Sequence, residues 1–324
     1  MRGKVIWAAF GAVALLAGCA GLATKREQNA ELSHPPIGQF IDVDGTRVHV
    51  WVQGTGPDLV LIHGAGGNLR DFTFDLAGRL TERYRVIAFD RPGLGYTDRL
   101  PGYGALGDAR GESPADQAAL LQQAAAQLGV ARPIVLGHSF GSAVALAWGL
   151  NAPDDTAALV LLGGVSNPWP GELGTFYDVT GSAFGGATAV PLITALAPKS
   201  RVTQGVAGVF APQPAPDGYV EYIGAPLTLR RDSLRANGQQ VLSLRPHVVK
   251  MSERYGTELT MPVEIVHGDA DTTVPLSVHS KPLSQQITSS TLTVLPGIGH
   301  MPHHADPNST LAAIDRAAKR ARLR

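Results

Sequence analysis

The stretch Pro133-Ile134-Val135-Leu136-Gly137-His138-Ser139-Phe140-Gly141-Ser142-Ala143-Val144-Ala145-Leu146-Ala147-Trp148 decides the fold. It opens on an unbroken aliphatic run, turns through Gly137-His138-Ser139-Phe140-Gly141 and continues into small and apolar residues of helical character. A serine flanked by glycines two residues to either side, directly after a strand and before a helix, is the context of a nucleophile elbow. The hydroxyl has to project from a strained turn, and the glycines let strand and helix pass without a side-chain clash. Ser139 is therefore the candidate nucleophile. The turn is expected to aim His138 away from it, into packing.

Outward from this stretch, short β-rich runs alternate with helical ones. Phe40 to Val43 and Val48 to Val52, joined at Asp44-Gly45, read as an antiparallel hairpin. Further apolar runs lie at Asp58 to Ile62, Arg85 to Phe89, Ala158 to Leu162, Val263 to Val266 and Leu292 to Leu295. Such runs, separated by helices, are what a parallel sheet covered on both faces demands. Helices are expected near Arg70 to Arg83, Ser113 to Leu128, Gly141 to Asn151, Ser277 to Ile287 and Ser309 to Arg324. The result is an α/β protein with a mostly parallel central sheet flanked by helices. From about Ser166 to Gly256 the rhythm breaks: no sheet strand is evident and the apolar spacing is that of short helices. A structureless loop of that length is implausible in a compact domain, so residues 166–256 read as an inserted helical lid. Residues 37–165 and 257–324 then make one core.

Four blocks carry a resemblance that spans nearly all of the chain from about Ile37. His63-Gly64-Ala65-Gly66-Gly67 follows one strand, and Phe89-Asp90-Arg91-Pro92-Gly93-Leu94-Gly95 lies at the end of the next. The serine turn is the third block, and Gly268-Asp269-Ala270-Asp271 with Gly299-His300 is the fourth. Together they resemble the capped α/β-hydrolase fold of the group that includes bacterial esterases, carbon–carbon bond hydrolases, cofactor-free haloperoxidases and epoxide hydrolases. The chain order Ser139, Asp271, His300 matches that family's nucleophile, acid and histidine. The resemblance implies that His300 takes the Ser139 proton and that Asp271 fixes the His300 tautomer. Asp269 competes for the acid role, but the family's G-x-x-D before a Val-Pro pair, here Val274-Pro275, selects Asp271. Backbone N–H groups of Ala65 and Phe140 are expected to form the oxyanion hole. Epoxide hydrolases and haloalkane dehalogenases place aspartate at the elbow, whereas a serine implies an acyl-enzyme. By position in the lid, Phe176, Tyr177, Phe184, Phe210, Tyr219 and Tyr222 are candidate substrate contacts.

Other motifs carry less. Gly102-Tyr103-Gly104-Ala105-Leu106-Gly107 fits G-x-G-x-x-G in letters only, because it follows a loop and opens no helix. His300, His303 and His304 could suggest a metal, but no acidic or cysteine pattern accompanies them, so neither metal nor cofactor is expected. His63 is expected to shape the oxyanion loop. Arg316, Lys319, Arg320, Arg322 and Arg324 read as the solvated face of a terminal helix.

Composition bounds the rest. The 324 residues balance 27 Lys plus Arg against 27 Asp plus Glu, which removes the general attraction a nucleic-acid binder needs. The 38 glycines and 23 prolines sit between apolar runs without a period, as in a loop-rich globular chain. The sole cysteine, Cys19, excludes an internal disulfide and gains another meaning from its place. Arg2 and Lys4 precede an uncharged stretch from Val5 to Ala17, as in an export signal. Leu16-Ala17-Gly18-Cys19 resembles the lipobox of bacterial lipoproteins, which implies cleavage after Gly18 and a diacylglycerol thioether on Cys19. Residues 1–18 would then be the signal and 19–36 a flexible tether ending in Pro35-Pro36. Ala20 after the cysteine implies outer-membrane sorting, with the protein in the cell envelope. The expected activity is serine hydrolysis of small to medium hydrophobic carboxylic esters, with the membrane met through Cys19. Carbon–carbon hydrolysis or perhydrolysis on the same fold is the alternative, and a non-catalytic ligand-binding surface lipoprotein a third.

Overall fold

A computed structural model describes residues 2–105 and 107–323, with the backbone alone described for residues 2–17. The chain starts in a single 32-residue helix, α1 (Arg2–Ser33), about 48 Å long at about 1.5 Å per residue. The hairpin follows as β1 (Gln39–Val43) and β2 (Thr46–Gln53). Its two turn residues, Asp44 at φ 50° and Gly45 at φ 83°, take the left-handed conformations that a tight hairpin needs. β3 (Asp58–Ile62) leads through α2 (Arg70–Thr73) and α3 (Leu76–Leu80) to β4 (Arg85–Phe89). The expected single helix over this span is two, because Asp75 leaves helical dihedrals (φ −148°, ψ −56°) while its carboxylate pairs with Arg79. α4 (Pro114–Gln127) precedes β5 (Ile134–His138), α5 (Phe140–Asn151) and β6 (Ala158–Leu162). Ser113 caps α4 by accepting the Asp116 N–H.

Between β6 and β7 (Val263–Gly268) the chain is helical. It runs through α6 (Thr175–Gly181), α7 (Ala183–Leu196), α8 (Lys199–Phe210), α9 (Tyr219–Tyr222), a 3-10 turn (Ala225–Leu229), α10 (Arg231–Ser252) and α11 (Tyr255–Glu258). The C-terminal part supplies α12 (Ser280–Gln286), β8 (Ser290–Leu295), α13 (Pro302–Ala305) and α14 (Pro307–Arg320). The eight strands order as β1-β2-β4-β3-β5-β6-β7-β8, parallel from β4 to β8 and antiparallel where β2 meets β1 and β4. This is the α/β-hydrolase fold, a mostly parallel sheet flanked by helices.

Alternate side chains of each strand feed two cores. Val60, Ile62, Val135, Leu161 and Ile265 pack under α4 and α5 on one face. Leu59, Leu61, Leu136, Val160 and Val266 pack under α2, α3 and α14 on the other. Covered on both sides, the strands have no use for polar alternation. Glu264 is a fully buried exception, paired with Arg316 at 2.9 Å and Arg320 at 2.8 Å. Two members of the basic terminal cluster therefore neutralise a core carboxylate rather than forming a solvated face; Arg324 lies outside the described residues.

Residues 19–33 correct the expected flexible tether, since they continue α1 and dock on the helical insertion. Glu27 forms a bidentate pair with Arg231, Glu31 pairs with Arg230, and Arg26 caps the C-terminal end of α7 by donating to the carbonyls of Ala195 and Ala197. Ala23 and Ala30 are buried, small enough for the helices to meet closely. α7 carries no charged residue, and Phe184, Leu192 and Leu196 stand exposed on its outer side.

Candidate active site

β5, near the centre of the sheet, ends at His138, and the chain turns at Ser139 with φ 53° and ψ −119°. A side-chain-bearing residue there costs about 1–3 kcal/mol and persists only where its surroundings over-determine it. They do so here: the Ser139 N–H donates to the Leu162 carbonyl at 2.9 Å, and its own carbonyl accepts from Ser142 and Val165. A methyl group on Gly137 would overlap the Gly141 carbonyl, and one on Gly141 would overlap the Ile62 carbonyl, so neither position has room for a Cβ.

The loops after β7 and β8 bring Asp271 and His300 to the same end of the sheet. His300 donates from Nδ1 to Asp271 Oδ2 at 2.7 Å, which leaves its Nε2 lone pair as a base. Asp271 Oδ1 accepts the Thr273 and Val274 N–H groups at 2.8 Å each, and His267 Nε2 lies 3.2 Å from Oδ2. Burial alone would raise the Asp271 carboxyl; the bonds from His267 and His300, the His300 charge and the backbone outweigh it and hold it well below the usual carboxylate range. Asp269 faces elsewhere and accepts the Gly297 N–H at 2.6 Å.

The loop after β3 runs beside the elbow, so close that a Cβ on Gly64 would meet Ser139 Cβ at 3.1 Å. The N–H groups of Ala65 and Phe140 make no hydrogen bond among the described residues. Gly66 is held from both sides by the insertion: its N–H donates to Asn237 Oδ1 and its carbonyl accepts from Thr228 Oγ1, both at 2.6 Å. From below, the buried Arg91 donates to the Gly64 carbonyl at 3.1 Å and stacks on Phe140 at 4.1 Å, while its backbone N–H donates to His63 Nε2 at 2.9 Å. Burial lowers Arg91 to about 9 and, together with the Arg91 charge, lowers His63 to about 4, so His63 is neutral and structural.

Ser139, His300 and Ala65 border one cavity of about 470 Å³, roofed by α6 to α9 and the 3-10 turn. That size is within the ordinary range of small-molecule pockets. A model of the alpha/beta hydrolase family matches residues 59–314. The chain belongs to the alpha/beta hydrolase family. The chain is 25% identical over 291 residues to an uncharacterised protein of Mycobacterium tuberculosis, covering 87% of this chain and 81% of that one. It is 35% identical over 157 residues to a 2-hydroxymuconate semialdehyde hydrolase of Pseudomonas putida, covering 48% of this chain and 53% of the relative. In structure it is similar to a membrane phospholipase A described as a bacterial virulence factor, at TM-score 0.69 and 20% identity, over 99% of this chain and 98% of that one.

Of the lid aromatics expected near substrate, Phe176, Tyr177, Phe210 and Tyr219 line the Ser139 cavity. Phe184 and Tyr222 do not border it. Phe184 is 80% exposed on the outer side of α7, and the Tyr222 hydroxyl turns to Thr73 at the rim. His138 is buried and packs against the rings of His300 at 5.0 Å and His303 at 4.6 Å, within a polar cluster. Its Nε2–H donates to the His300 carbonyl at 2.9 Å. Nearby, the buried Asp71 accepts from Tyr219 Oη at 2.7 Å and from His304 Nε2 at 2.8 Å, with His303 Nε2 at 3.2 Å. Burial raises Asp71, yet the two histidines outweigh it and keep the carboxyl well below its ordinary range. Asp71, Thr228 and Asn237 escaped the sequence reading because each matters through a partner more than 140 residues away.

Proposed function

We propose that this hydrolase cleaves carboxylic esters of small to medium hydrophobic acyl groups by way of an acyl-enzyme on Ser139. The observation that carries the reading is the Asp271–His300 bond beside a cavity bordered by His300, the strained Ser139 and Ala65, whose N–H, like that of Phe140 next to the serine, makes no hydrogen bond among the described residues. Ser139 Oγ attacks the acyl carbon as His300 Nε2 takes its proton, and Asp271 stabilises the imidazolium. The Ala65 and Phe140 N–H groups receive the oxyanion; one such donor is worth about 100- to 1000-fold in turnover. The protonated His300 returns the proton to the departing alkoxide, and water then repeats the sequence to release the acid. The similarity to a membrane phospholipase A, itself named for ester cleavage, supports this reading. A fluorophosphonate probe tests it: stoichiometric labelling of the folded protein, lost in Ser139→Ala, is expected, and an unlabelled Ser139 overturns it. A chain-length series of esters then sets the acyl preference.

The relative from P. putida supports a second reading, hydrolysis of a carbon–carbon bond in a diketone-like ring-cleavage product. Conversion of such a substrate by Ser139→Ala, with ester cleavage abolished, would favour it. Absence of turnover on a broad ester panel despite a labelled serine would favour a ligand-binding role.

We also propose that Cys19 carries a diacylglycerol and holds the protein at the bacterial envelope. The support is its place as the sole cysteine behind an uncharged segment with two basic residues before it. Radiolabelled palmitate incorporated by the wild type and not by Cys19→Ser is the expected result; equal labelling of both refutes the anchor.

A further inference from the structure

We propose that Asp71, His138 and His303 form a binding site for one divalent transition-metal ion of the zinc class, beside the Ser139 pocket. The three residues come from α2, the end of β5 and α13, and all are buried. One ligand atom from each lies within 4.8 Å of the other two.

The two oxygens of Asp71 are used unequally. Oδ1 accepts from Tyr219 Oη at 2.7 Å and His304 Nε2 at 2.8 Å, with His303 Nε2 at 3.3 Å. Among the described residues Oδ2 has no short partner: His303 Nε2 lies at 3.2 Å and His138 Nδ1 at 3.9 Å. A charge-assisted N–H···O bond closes to about 2.7–2.9 Å. Two ligands of a tetrahedral ion bound at about 2.0–2.1 Å stand about 3.3 Å apart, between the two observed separations.

His138 supplies the second, independent observation. Because its Nε2–H is committed to the His300 carbonyl, the lone pair of the neutral ring lies on Nδ1. That nitrogen is buried, points toward Asp71 and has no partner among the described residues. A ligating imidazole typically donates its other N–H to a backbone carbonyl or carboxylate, which fixes the tautomer and ring orientation. Tyr219 and His304 hold Asp71 in the corresponding way.

Two imidazoles and one carboxylate suit zinc, cobalt or nickel over magnesium or calcium. Asp71 and His138 also border the Ser139 cavity, so the remaining coordination position opens there, to water or an anionic group. Of the His300, His303 and His304 group in the sequence, His303 alone is a ligand; His300 serves Asp271 and His304 orients Asp71.

The test uses the full-length, untagged protein after treatment with a chelator. Titration with Co²⁺ is expected to give one equivalent bound, with the intense visible bands of a four-coordinate site, and displacement by Zn²⁺ but not by Mg²⁺. X-ray absorption of the zinc form is expected to show two imidazoles and a light-atom shell at about 2.0–2.2 Å. Asp71→Asn and His303→Gln should each weaken binding by more than about 100-fold. A wild type that binds no stoichiometric Co²⁺, or a zinc shell without imidazole, overturns the site whether or not the variants fold. Binding that survives both substitutions in folded protein also overturns it. None of these readouts depends on ester turnover, so the metal site and the proposed reaction fail separately.

Discussion

At the residue scale, the groups around Ser139 are tuned by burial, and their charge states set the response to acid. Burial, then the neighbouring Arg91 charge, depresses His63 to about 4, against about 6.5 for an exposed imidazole. A depressed histidine contributes its full stability above about pH 6.5 and loses it as the pH falls toward 4, because the unfolded chain takes up the proton that the folded chain refuses. For His63 the loss amounts to about 3 kcal/mol. His279, also lowered to about 4 by burial and then by His267, adds to the loss in the same window. The urea midpoint is therefore expected to drop between pH 7 and 5; a flat midpoint would contradict the neutral, buried imidazoles. Asp271→Asn removes the charge that fixes the His300 tautomer and should lower turnover about 10⁴-fold, as measured by steady-state kinetics. Asp269→Asn should leave turnover within a few-fold, since its partner is the Gly297 backbone. Ser139 and its two flanking glycines were legible in the sequence because local sterics dictate them. The pairing of Asp271 with His300 was legible only through motif resemblance, as no local rule pairs positions 29 residues apart.

At the element scale, the sheet was legible and its connections less so. A strand buried on both faces writes itself as an aliphatic run, and β3 to β7 lie where those runs do. Residues 19–33 read as a tether because they show no apolar period, yet they are helical. Their polar side chains meet Arg230, Arg231 and the end of α7, roughly 170 to 200 residues away, and such pairs leave no local signature. The insertion also acts on the core. α10 carries Asn237 to the Gly66 peptide, and that bond positions the loop on which Ala65 sits. Asn237→Ala is expected to lower kcat by roughly 10- to 100-fold through a misplaced donor, with a smaller effect on KM. Unchanged kcat would show that Thr228 and Arg91 suffice to hold the loop.

At the scale of the whole molecule, α1 and the insertion behave as one body. Replacing Arg26 and Glu27 together by alanine removes the cap on α7 and the bidentate pair with Arg231. Partly exposed charge pairs of this kind are worth about 1 kcal/mol or less each, so global stability should change little. Local opening should change more: hydrogen–deuterium exchange is expected to speed up in α7 and α8 and to stay constant in β3 to β7. Equal protection in both proteins would separate α1 from the insertion.

The continuity of α1 past Cys19 bears on where a lipid-anchored form of this protein would meet its ligands. Arg26 follows Cys19 by seven residues on a continuous helix, about 10 Å along its axis. With lipid on Cys19, the pocket stands at a set height above the bilayer, as on a mast, and does not sweep a hemisphere as it would on a leash. Encounters are then confined to a thin layer of solution next to the headgroups, and a flexible insert between Cys19 and Lys25 would widen that layer without touching a single catalytic atom.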